Sequence, residues 1–522
     1  VSFMGAVSLF LMVGVWAWLR FYSFRTQEGD AQRVAKNTVT PLILQFTNKA
    51  IDMAFAMLML RLLGPDNAGE YYFAVVVAGW FEILTNFGLN TLLTREVARR
   101  REQANRYLWN TSLLRLSLVA LSAPLLLLFL LAWPMPSDTA LAIVLLAIGL
   151  VPASISAGLS AVFMAFEVME IPAVVTTLTT ILKVGLGTVA LLAGWGFVGL
   201  AGVSIVVNLT TVTVLLALLM TLFFRPRPEP VPALQRQMVG DAYPLMINHL
   251  LATLFFRVDI PLLQRAWGSK VVGWYSTSFK YVDGIGLIPP VFTMAIFPLL
   301  SRFANSAQDS LYRAYTLSIK LLLSLALIAL VTTALAYPLI RIIGGPAYLP
   351  HSAIALQIVI WYMPLGFINS VTQYVLIALD QQRFLTRAFA IGLAFNLGAN
   401  LLLTPRFGYP ATAAIHVLSE LALFVPFYVG VRRHLASIPW AKLAWRPVTA
   451  AMAAAGLLWL LRQQSALLVT SLVATLYLGL LLAFGTFDAA DQTLLQQVVP
   501  VEQVWARLRR LFPARQPEVP QP

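Results

Sequence analysis

The sequence predicts an all-α integral membrane protein, and three observations support this prediction. Hydrophobic residues make up 59% and charged residues only 11% of the 522 residues, which is far more apolar than a soluble domain. Apolar runs of about twenty residues recur along the chain, each long enough as an α-helix to cross a hydrocarbon core of roughly 30 Å. These runs are continuous, whereas barrel strands alternate apolar and polar residues, so a membrane β-barrel is excluded.

The apolar runs number about fifteen, and their ends are approximate. They lie at 3–22, 40–63, 71–93, 110–133, 139–165, 172–193, 197–224, 244–266, 272–300, 316–340, 352–379, 388–404, 409–431, 447–461 and 465–485.

The net charge of +14 reflects membrane topology and does not indicate nucleic-acid binding, because the basic residues are concentrated in alternate loops. The loops around Pro65, Pro134, Trp195, Gly268, Pro346, Arg406 and Arg462 are short and carry few of them. We expect those loops to lie on the outer side of the membrane, and the region near Lys36 and the C-terminal tail to lie in the cytoplasm. Two points on the same side of the membrane are joined by an even number of crossings, and fourteen helices satisfy this condition. The basic set is Arg95, Arg99, Arg100, Arg101 and Arg106; Arg225, Arg227 and Arg236; Arg302 and Arg313; Arg383 and Arg387; Arg432, Arg433, Lys442 and Arg446; and Arg507, Arg509, Arg510 and Arg515.

The first segment, 3–22, stands apart because the sequence opens with Val1. It does not look like a cleaved signal peptide, since no small-residue cleavage site follows it. Three interpretations stay open: a valine-encoded alternative start, an over-extended reading frame in which these residues are not native, or an additional anchor with its N-terminus outside.

The cysteine and histidine content limits the kinds of chemistry that the chain can perform. There are no cysteines, so disulfides and thiolate metal sites are excluded. The four histidines are far apart in sequence and lack the spacing of a zinc site. We expect no metal site and no cofactor, apart from a coupling ion, either a proton or sodium.

An internal repeat organises the chain. Gly64, Gly69 and Tyr71 fall in register with Gly268, Gly273 and Tyr275, and a glycine between two apolar runs suits a tight helical turn. A proline-rich basic stretch separates the two blocks of six runs and is the best linker between lobes. The predicted regions are an N-terminal apolar segment and basic linker at 1–35, an N-lobe at 36–224, a cytoplasmic linker at 225–243, a C-lobe at 244–432, two extra helices at 433–487 and a cytoplasmic tail at 488–522.

The same residues carry a family resemblance. The stretch LGPDNAGEYYFAVVVAGWFEILTNFGLNTLLTREVAR, preceded by NKAIDMAFAMLMLRL, resembles the first two helices of bacterial polysaccharide and O-antigen flippases. These belong to the multidrug, oligosaccharidyl-lipid and polysaccharide exporter superfamily. GWYSTSFKYVDGIGLIPPVFTMAIFPLLSRFA resembles the eighth helix. The resemblance covers roughly residues 36 to 485.

The resemblance implies two pseudo-symmetric six-helix lobes that open alternately to each side of the cytoplasmic membrane around a polar cavity. The expected substrate is a lipid-linked glycan, carried for polysaccharide or lipopolysaccharide biosynthesis, and the expected partners include membrane lipids and the glycan polymerase and glycosyltransferases of the pathway. In related lipid II flippases two extra C-terminal helices help to form a groove for the lipid tail, and 447–461 and 465–485 are similar in position.

Ionisable residues inside apolar runs are costly and therefore candidates for function. A pyrophosphate headgroup requires cationic donors, for which the candidates are Lys49, Lys183, Arg257 and Lys280. The carboxylate candidates for binding a coupling proton or sodium ion are Asp52, Glu82, Asp259, Asp283 and Glu420. The structural alternative is self-neutralisation within one helix face, by Lys49 with Asp52, Lys280 with Asp283, and His416 with Glu420.

Two other functions remain open. A multidrug or cation antiporter of the same superfamily would rely on acidic residues and would not need the four cations. A membrane-embedded glycosyltransferase or glycan polymerase would carry catalytic residues in a sizeable external loop, and the external loops here are short. We therefore predict a transporter without catalytic residues.

Overall fold

The computed structural model describes residues 30–461 and 464–486. These residues are helical and contain no strand, so the predicted all-α fold class is confirmed. The predicted first segment, 3–22, and the cytoplasmic tail, 488–522, lie outside the described residues.

Seventeen helices follow one another in the described ranges, with short 3₁₀ turns at Arg101–Gln103 and Pro346–Tyr348. They are α1 (Asp30–Asn86), α2 (Leu89–Arg99), α3 (Ala104–Ala132), α4 (Ser137–Ala165), α5 (Glu170–Leu192), α6 (Gly196–Leu222), α7 (Pro232–Arg257), α8 (Asp259–Trp267), α9 (Ser269–Ile285), α10 (Ile288–Ser306), α11 (Gln308–Ser324), α12 (Ala326–Ile343), α13 (His351–Val359), α14 (Tyr362–Ala378), α15 (Gln382–His434), α16 (Trp440–Leu460) and α17 (Ala466–Ala483).

Ten helical stretches in the described ranges are long and apolar enough to cross a membrane, or eleven when the bent pair 269–293 and 296–304 counts as one span. The chain is therefore a multi-pass membrane protein. Two of the ten stretches are each divided by a glycine with positive φ, Gly64 in α1 and Gly408 in α15. The number of fourteen crossings stays a prediction.

The two turns predicted from the repeat have the same backbone conformation. Gly64 has φ 71° and ψ 174°, and Gly268 has φ 78° and ψ 178°. Only glycine adopts this region without strain, since a side chain would collide with the backbone. Each glycine closes one helix and opens the next, so the repeat is present in the backbone as well as in the sequence.

The described chain clusters into two units. The first comprises 30–285, Ala336–Val359 and Thr386–Ser419. One of its apolar cores joins α2 to α7, with fully buried side chains such as Leu93, Val97, Val162 and Leu219. The predicted lobe boundaries are not tested by this division and stay a prediction.

The second unit comprises Gly286–Leu335, Ile360–Leu385 and the described chain from 420 onward. Its core packs Leu330 of α12 against Ala450 and Ala454 of α16 and Val473 and Tyr477 of α17. The two C-terminal helices are therefore attached to this unit by buried apolar contacts.

The predicted linker is held in place by two asparagines of α3. Helix α7 already begins at Pro232, so the irregular part is shorter than the predicted 225–243. The Asn110 side chain, which is fully buried, donates to the Glu229 carbonyl at 2.8 Å and accepts from the Val231 amide at 2.8 Å. Asn105 accepts from the Arg227 amide at 2.8 Å. The linker is thus fastened along α3 by hydrogen bonds between asparagine side chains and the linker backbone.

Candidate functional site

A cavity of about 250 Å³ lies within the first unit, between α1, α5, α6 and α9. Its charged lining consists of three lysines and two aspartates, drawn from three different helices: Lys49, Asp52, Lys183, Lys280 and Asp283. Residues far apart in sequence therefore converge on one polar chamber inside the helical bundle.

Asp52 forms an ion pair across helices. Lys183 of α5 donates from Nζ to Oδ1 of Asp52 in α1 at 2.5 Å. The two side chains are 40% and 42% exposed, so the pair is accessible from the cavity. A pair this exposed contributes little stability, typically about 0–1 kcal/mol, and both groups can change partner.

Asp283 pairs with an arginine beside the cavity. Arg257, the last residue of α7, lies 3.1 Å from Asp283 Oδ1 through its Nη2 atom. The guanidinium also lies 5.6 Å from the ring centroid of Phe279, which favours a cation. Asp52 and Asp283 thus form their ion pairs with residues of other helices. The alternative given by the sequence paired them with Lys49 and Lys280 on their own helices.

Lys280 and Lys49 are the other two cations of the cavity. The Lys280 ammonium lies 4.6 Å from the centroid of the Tyr72 ring, a cation–π contact that orients it toward α1. Lys49 is exposed and lines the same chamber. The structure therefore brings the four cationic candidates into one region, three in the lining and Arg257 next to it through Asp283.

Asp259 lies outside the cavity, at the break between α7 and α8. It is 2% exposed, accepts a hydrogen bond of 2.5 Å from the Tyr275 hydroxyl, and lies 3.6 Å from Nδ1 of His416. Its Oδ1 atom has no hydrogen-bond partner among the described residues. The Phe255 carbonyl at the end of α7 accepts from Asn396 at 3.2 Å, which satisfies a backbone group at the break.

The remaining carboxylate candidates are not in the cavity lining. Glu82 is exposed on α1. Glu420 is buried in the second unit, where Asn369 donates to its carboxylate at 2.6 Å and to its backbone carbonyl at 2.9 Å. The assignment of ion-coupling roles to Asp52, Glu82, Asp259, Asp283 and Glu420 stays a prediction.

Beyond the cavity, α1 and α9 meet at the repeat itself. A Cβ atom added to Gly69 would lie 1.8 Å from the Ser269 carbonyl oxygen, and one added to Gly273 would lie 1.9 Å from the Pro65 carbonyl oxygen. The contact is reciprocal, because each glycine packs on the residue four positions before the other. Glu70, which is buried, accepts hydrogen bonds from Ser269 and from Thr139, and so ties α1, α4 and α9 together.

Sequence reasoning missed Glu70 and Arg115. Arg115 of α3 is fully buried and donates to the Ser154 carbonyl and to the Asn90 side chain, the latter at 2.5 Å. A charge inside the apolar run 110–133 was the signal that could have identified it. Glu70 lies between two predicted runs, and sequence gives no sign that it is buried.

Comparison with solved structures identifies the fold. The lipid II flippase MurJ in an inward closed conformation matches with a TM-score of 0.64 at 12% identity, over 84% of this chain and 99% of that one. A mutant of the Vibrio cholerae MATE transporter VcmN matches with a TM-score of 0.56 at 16% identity, over 77% and 98%. A MOP superfamily transporter from Pyrococcus furiosus gives 0.55 at 15%, over 76% and 95%. No curated protein sequence matches.

The described helices and the charged cavity therefore define a polytopic membrane protein with the transporter fold shared by these lipid-flippase and multidrug-exporter structures. Family models narrow this class. The model described as polysaccharide biosynthesis protein matches residues 34–304, just over half of the chain, and the MatE model matches 244–402. The chain belongs to the polysaccharide biosynthesis protein family.

Proposed function

We propose that this protein is a flippase that moves an isoprenoid-pyrophosphate-linked oligosaccharide across the cytoplasmic membrane for polysaccharide or cell-envelope biosynthesis. The observation that carries the proposal is the convergence of Lys49, Lys183 and Lys280 on one membrane-embedded cavity, with Arg257 beside it. Cations placed inside a membrane protein are costly, and a diphosphate is the kind of group that several such donors bind together.

The charge balance of the site distinguishes this function from cation export. Four cations face the two carboxylates Asp52 and Asp283, and Asp259 also interacts with Arg257 from outside the cavity lining. The site therefore keeps a positive excess when all seven groups have their ordinary charges. An anionic headgroup is attracted by that excess, and a cationic drug is repelled. The two carboxylates and the MatE match favour the alternative, a multidrug or cation antiporter, which the experiment below also tests.

Alternating access requires a closure that can open, and the Gly69–Gly273 contact supplies one. The loops at Pro65 and Gly268 carry few basic residues, which favours the outer side of the membrane. We place the contact at the outer end of the pathway, where it would close the cavity to the outside while the headgroup binds from the cytoplasm. The coupling ion, proton or sodium, would be bound by the carboxylate candidates.

We also propose where the protein acts and with which partners. The protein acts in the cytoplasmic membrane with its C-terminus in the cytoplasm, and its partners are the lipid-linked glycan, membrane lipids, and the glycosyltransferases and polymerase that make and extend it. It forms and breaks no covalent bond. A membrane-embedded glycosyltransferase would instead make new glycosidic bonds when incubated with a labelled lipid-linked sugar.

The test is glycan export in cells that carry single alanine variants. Arg257→Ala and Lys280→Ala should abolish export while the protein remains inserted at the native level, because each removes a cationic donor from the headgroup site. Lys442→Ala is the matched control, since Lys442 is exposed in α16 and is distant in sequence from the cavity residues. Normal export by both cavity variants would remove these residues from the proposed site, and loss of drug resistance without loss of glycan export would favour the antiporter.

A further inference from the structure

The two aspartates of the cavity each hold one of its cations. Asp52 pairs with Lys183 at 2.5 Å and Asp283 pairs with Arg257 at 3.1 Å. We propose that Asp52 and Asp283 are internal counter-ions that a bound diphosphate displaces, so that headgroup binding takes up protons at this site. The inference rests on the proposed function and adds the way in which the site responds to protons.

The geometry of the pairs favours the exchange. Lys183 and Asp52 both line the cavity, as does Asp283, so a diphosphate that reaches Lys183 or Arg257 comes close to the carboxylate that already occupies that cation. Like charges within about 4–6 Å favour the protonated form of a carboxylate. A protonated aspartate no longer repels the phosphate, and its cation becomes available to the ligand.

The groups that face the two carboxylates limit which of them can gain a proton. Around Asp52 these are Lys183 of α5, Lys280 of α9, and Lys49 and Tyr71 of α1. Around Asp283 they are Arg257 of α7, Lys280 on its own helix, and Tyr72 of α1. Lysine, arginine and tyrosine ordinarily already carry their proton near neutral pH. The aspartates are therefore the groups of this set that can accept one.

Asp259, which interacts electrostatically with Arg257, and His416 form a second set that can also take up a proton, outside the cavity lining. Asp259 is held by Tyr275 and lies 3.6 Å from His416. Because neither residue lines the cavity, a bound headgroup should affect them less than it affects Asp52 and Asp283.

The sign of the linkage has a mechanistic consequence. If Asp52 and Asp283 take up protons when the headgroup binds, protonation and headgroup binding reinforce each other, and a proton would not displace the headgroup from this site. A cationic substrate would show the opposite behaviour, since protonation of Asp52 or Asp283 would remove its counter-charges. The pH dependence of binding therefore reports the charge of the ligand for which the cavity is built.

The experiment uses the full-length protein in lipid nanodiscs and, as the probe, glucosyl geranyl diphosphate, a diphosphate diester. A diester has no group that titrates near neutral pH, unlike a phosphate monoester, whose second pKa is about 6. Calorimetric titration in two buffers of different ionisation enthalpy gives both the affinity and the number of protons taken up by the native protein. Affinity should rise as pH falls, by about tenfold per pH unit for each proton taken up.

Three variants complete the test. Asp52→Asn combined with Asp283→Asn should bind the probe more tightly than the native protein near neutral pH and should lose most of the proton uptake, because the amides leave the cations unoccupied. Asp138→Asn, an exposed carboxylate at the start of α4, should behave as the native protein does. The paired variant Lys183→Ala with Arg257→Ala should lose binding at every pH.

The outcomes separate the two proposals. Failure of the native protein to bind the probe, or unchanged binding without Lys183 and Arg257, would overturn the headgroup site and the inference with it. Probe binding that depends on these cations but involves no proton uptake, or that weakens as pH falls, would overturn the counter-ion inference alone. Full proton uptake in the doubly amidated variant would do the same.

Discussion

Replacing Gly69 or Gly273 by alanine should prevent α1 and α9 from closing on each other. The Cβ atom of an alanine at position 69 would lie 1.8 Å from the Ser269 oxygen and 2.6 Å from the carbon of the same carbonyl. An ordinary contact begins near 3.4 Å, so the helices must separate by about 1.6 Å. Because the obstructing atoms are backbone and a Cβ has no rotamer, no side-chain movement relieves the overlap.

The expected effect is a change of conformational equilibrium and not unfolding. Alanine favours a helix over glycine by about 1 kcal/mol, so each separate helix is stabilised while the closed contact is lost. Shifting a two-state equilibrium from 99:1 to 1:99 takes about 5.5 kcal/mol. Because this overlap with backbone atoms is relieved only when the helices separate, we expect the closed state to be depopulated.

Spin-label distances test this directly, because the chain has no cysteine and labels attach only where cysteines are introduced. Asn67→Cys with Lys270→Cys places labels at two exposed positions beside the contact. The native protein should show a short-distance population that Gly69→Ala and Gly273→Ala lose. Gly79→Ala is the control, since an added Cβ there meets nothing within 4 Å. An unchanged short-distance population in both variants would refute the proposed closure.

Two further predictions concern the buried polar groups of α3. Asn110→Ala leaves the Glu229 carbonyl and the Val231 amide without their partner, which should cost about 1–3 kcal/mol for each group that stays buried and speed hydrogen–deuterium exchange at the Val231 amide; equal exchange in native and variant protein would contradict the fastening of the linker. Arg115→Ala removes the donors to Ser154 and Asn90 and should lower the free energy of unfolding by about 2–4 kcal/mol, seen as a lower melting temperature in detergent, with Arg99→Ala as an exposed control.

Local sequence signals predicted the helices and the two glycine turns. Apolar runs such as 139–165 and 172–193 correspond closely to α4 (Ser137–Ala165) and α5 (Glu170–Leu192), because run length and hydropathy are properties of one segment. The pairing of charges was not predictable in the same way. Lys183 reaches Asp52 across 131 positions, and only the packing of α5 on α1 decides that the aspartate pairs there instead of with Lys49 in its own helix.

The breaks inside the predicted spans also depend on tertiary contacts. The sequence predicts the run 244–266 as one span, yet α7 ends at Arg257 and α8 begins at Asp259. The charged residues Arg257 and Asp259 and the proline Pro261 interrupt its apolar character at this point, but they do not by themselves show that the helix breaks. The break is stabilised by groups on other helices, namely Asn396, which donates to the Phe255 carbonyl, and Tyr275, which donates to Asp259. A single-segment pattern contains no information about such partners, whereas Pro289 and Pro290 at the start of α10 mark a break that sequence can show.

The repeated glycines have a second role that follows from the turn. Gly64 and Gly268 turn the chain, and five positions later Gly69 and Gly273 dock the two new helices on each other. A reciprocal contact needs a surface that is complementary to its own copy, and one motif supplies both halves: a small residue at one position and a backbone carbonyl four residues earlier. The tyrosines two positions further on have diverged, since Tyr71 lines the cavity while Tyr275 donates to Asp259. The two copies thus keep the residues that close the helices together and differ in those that bind charge.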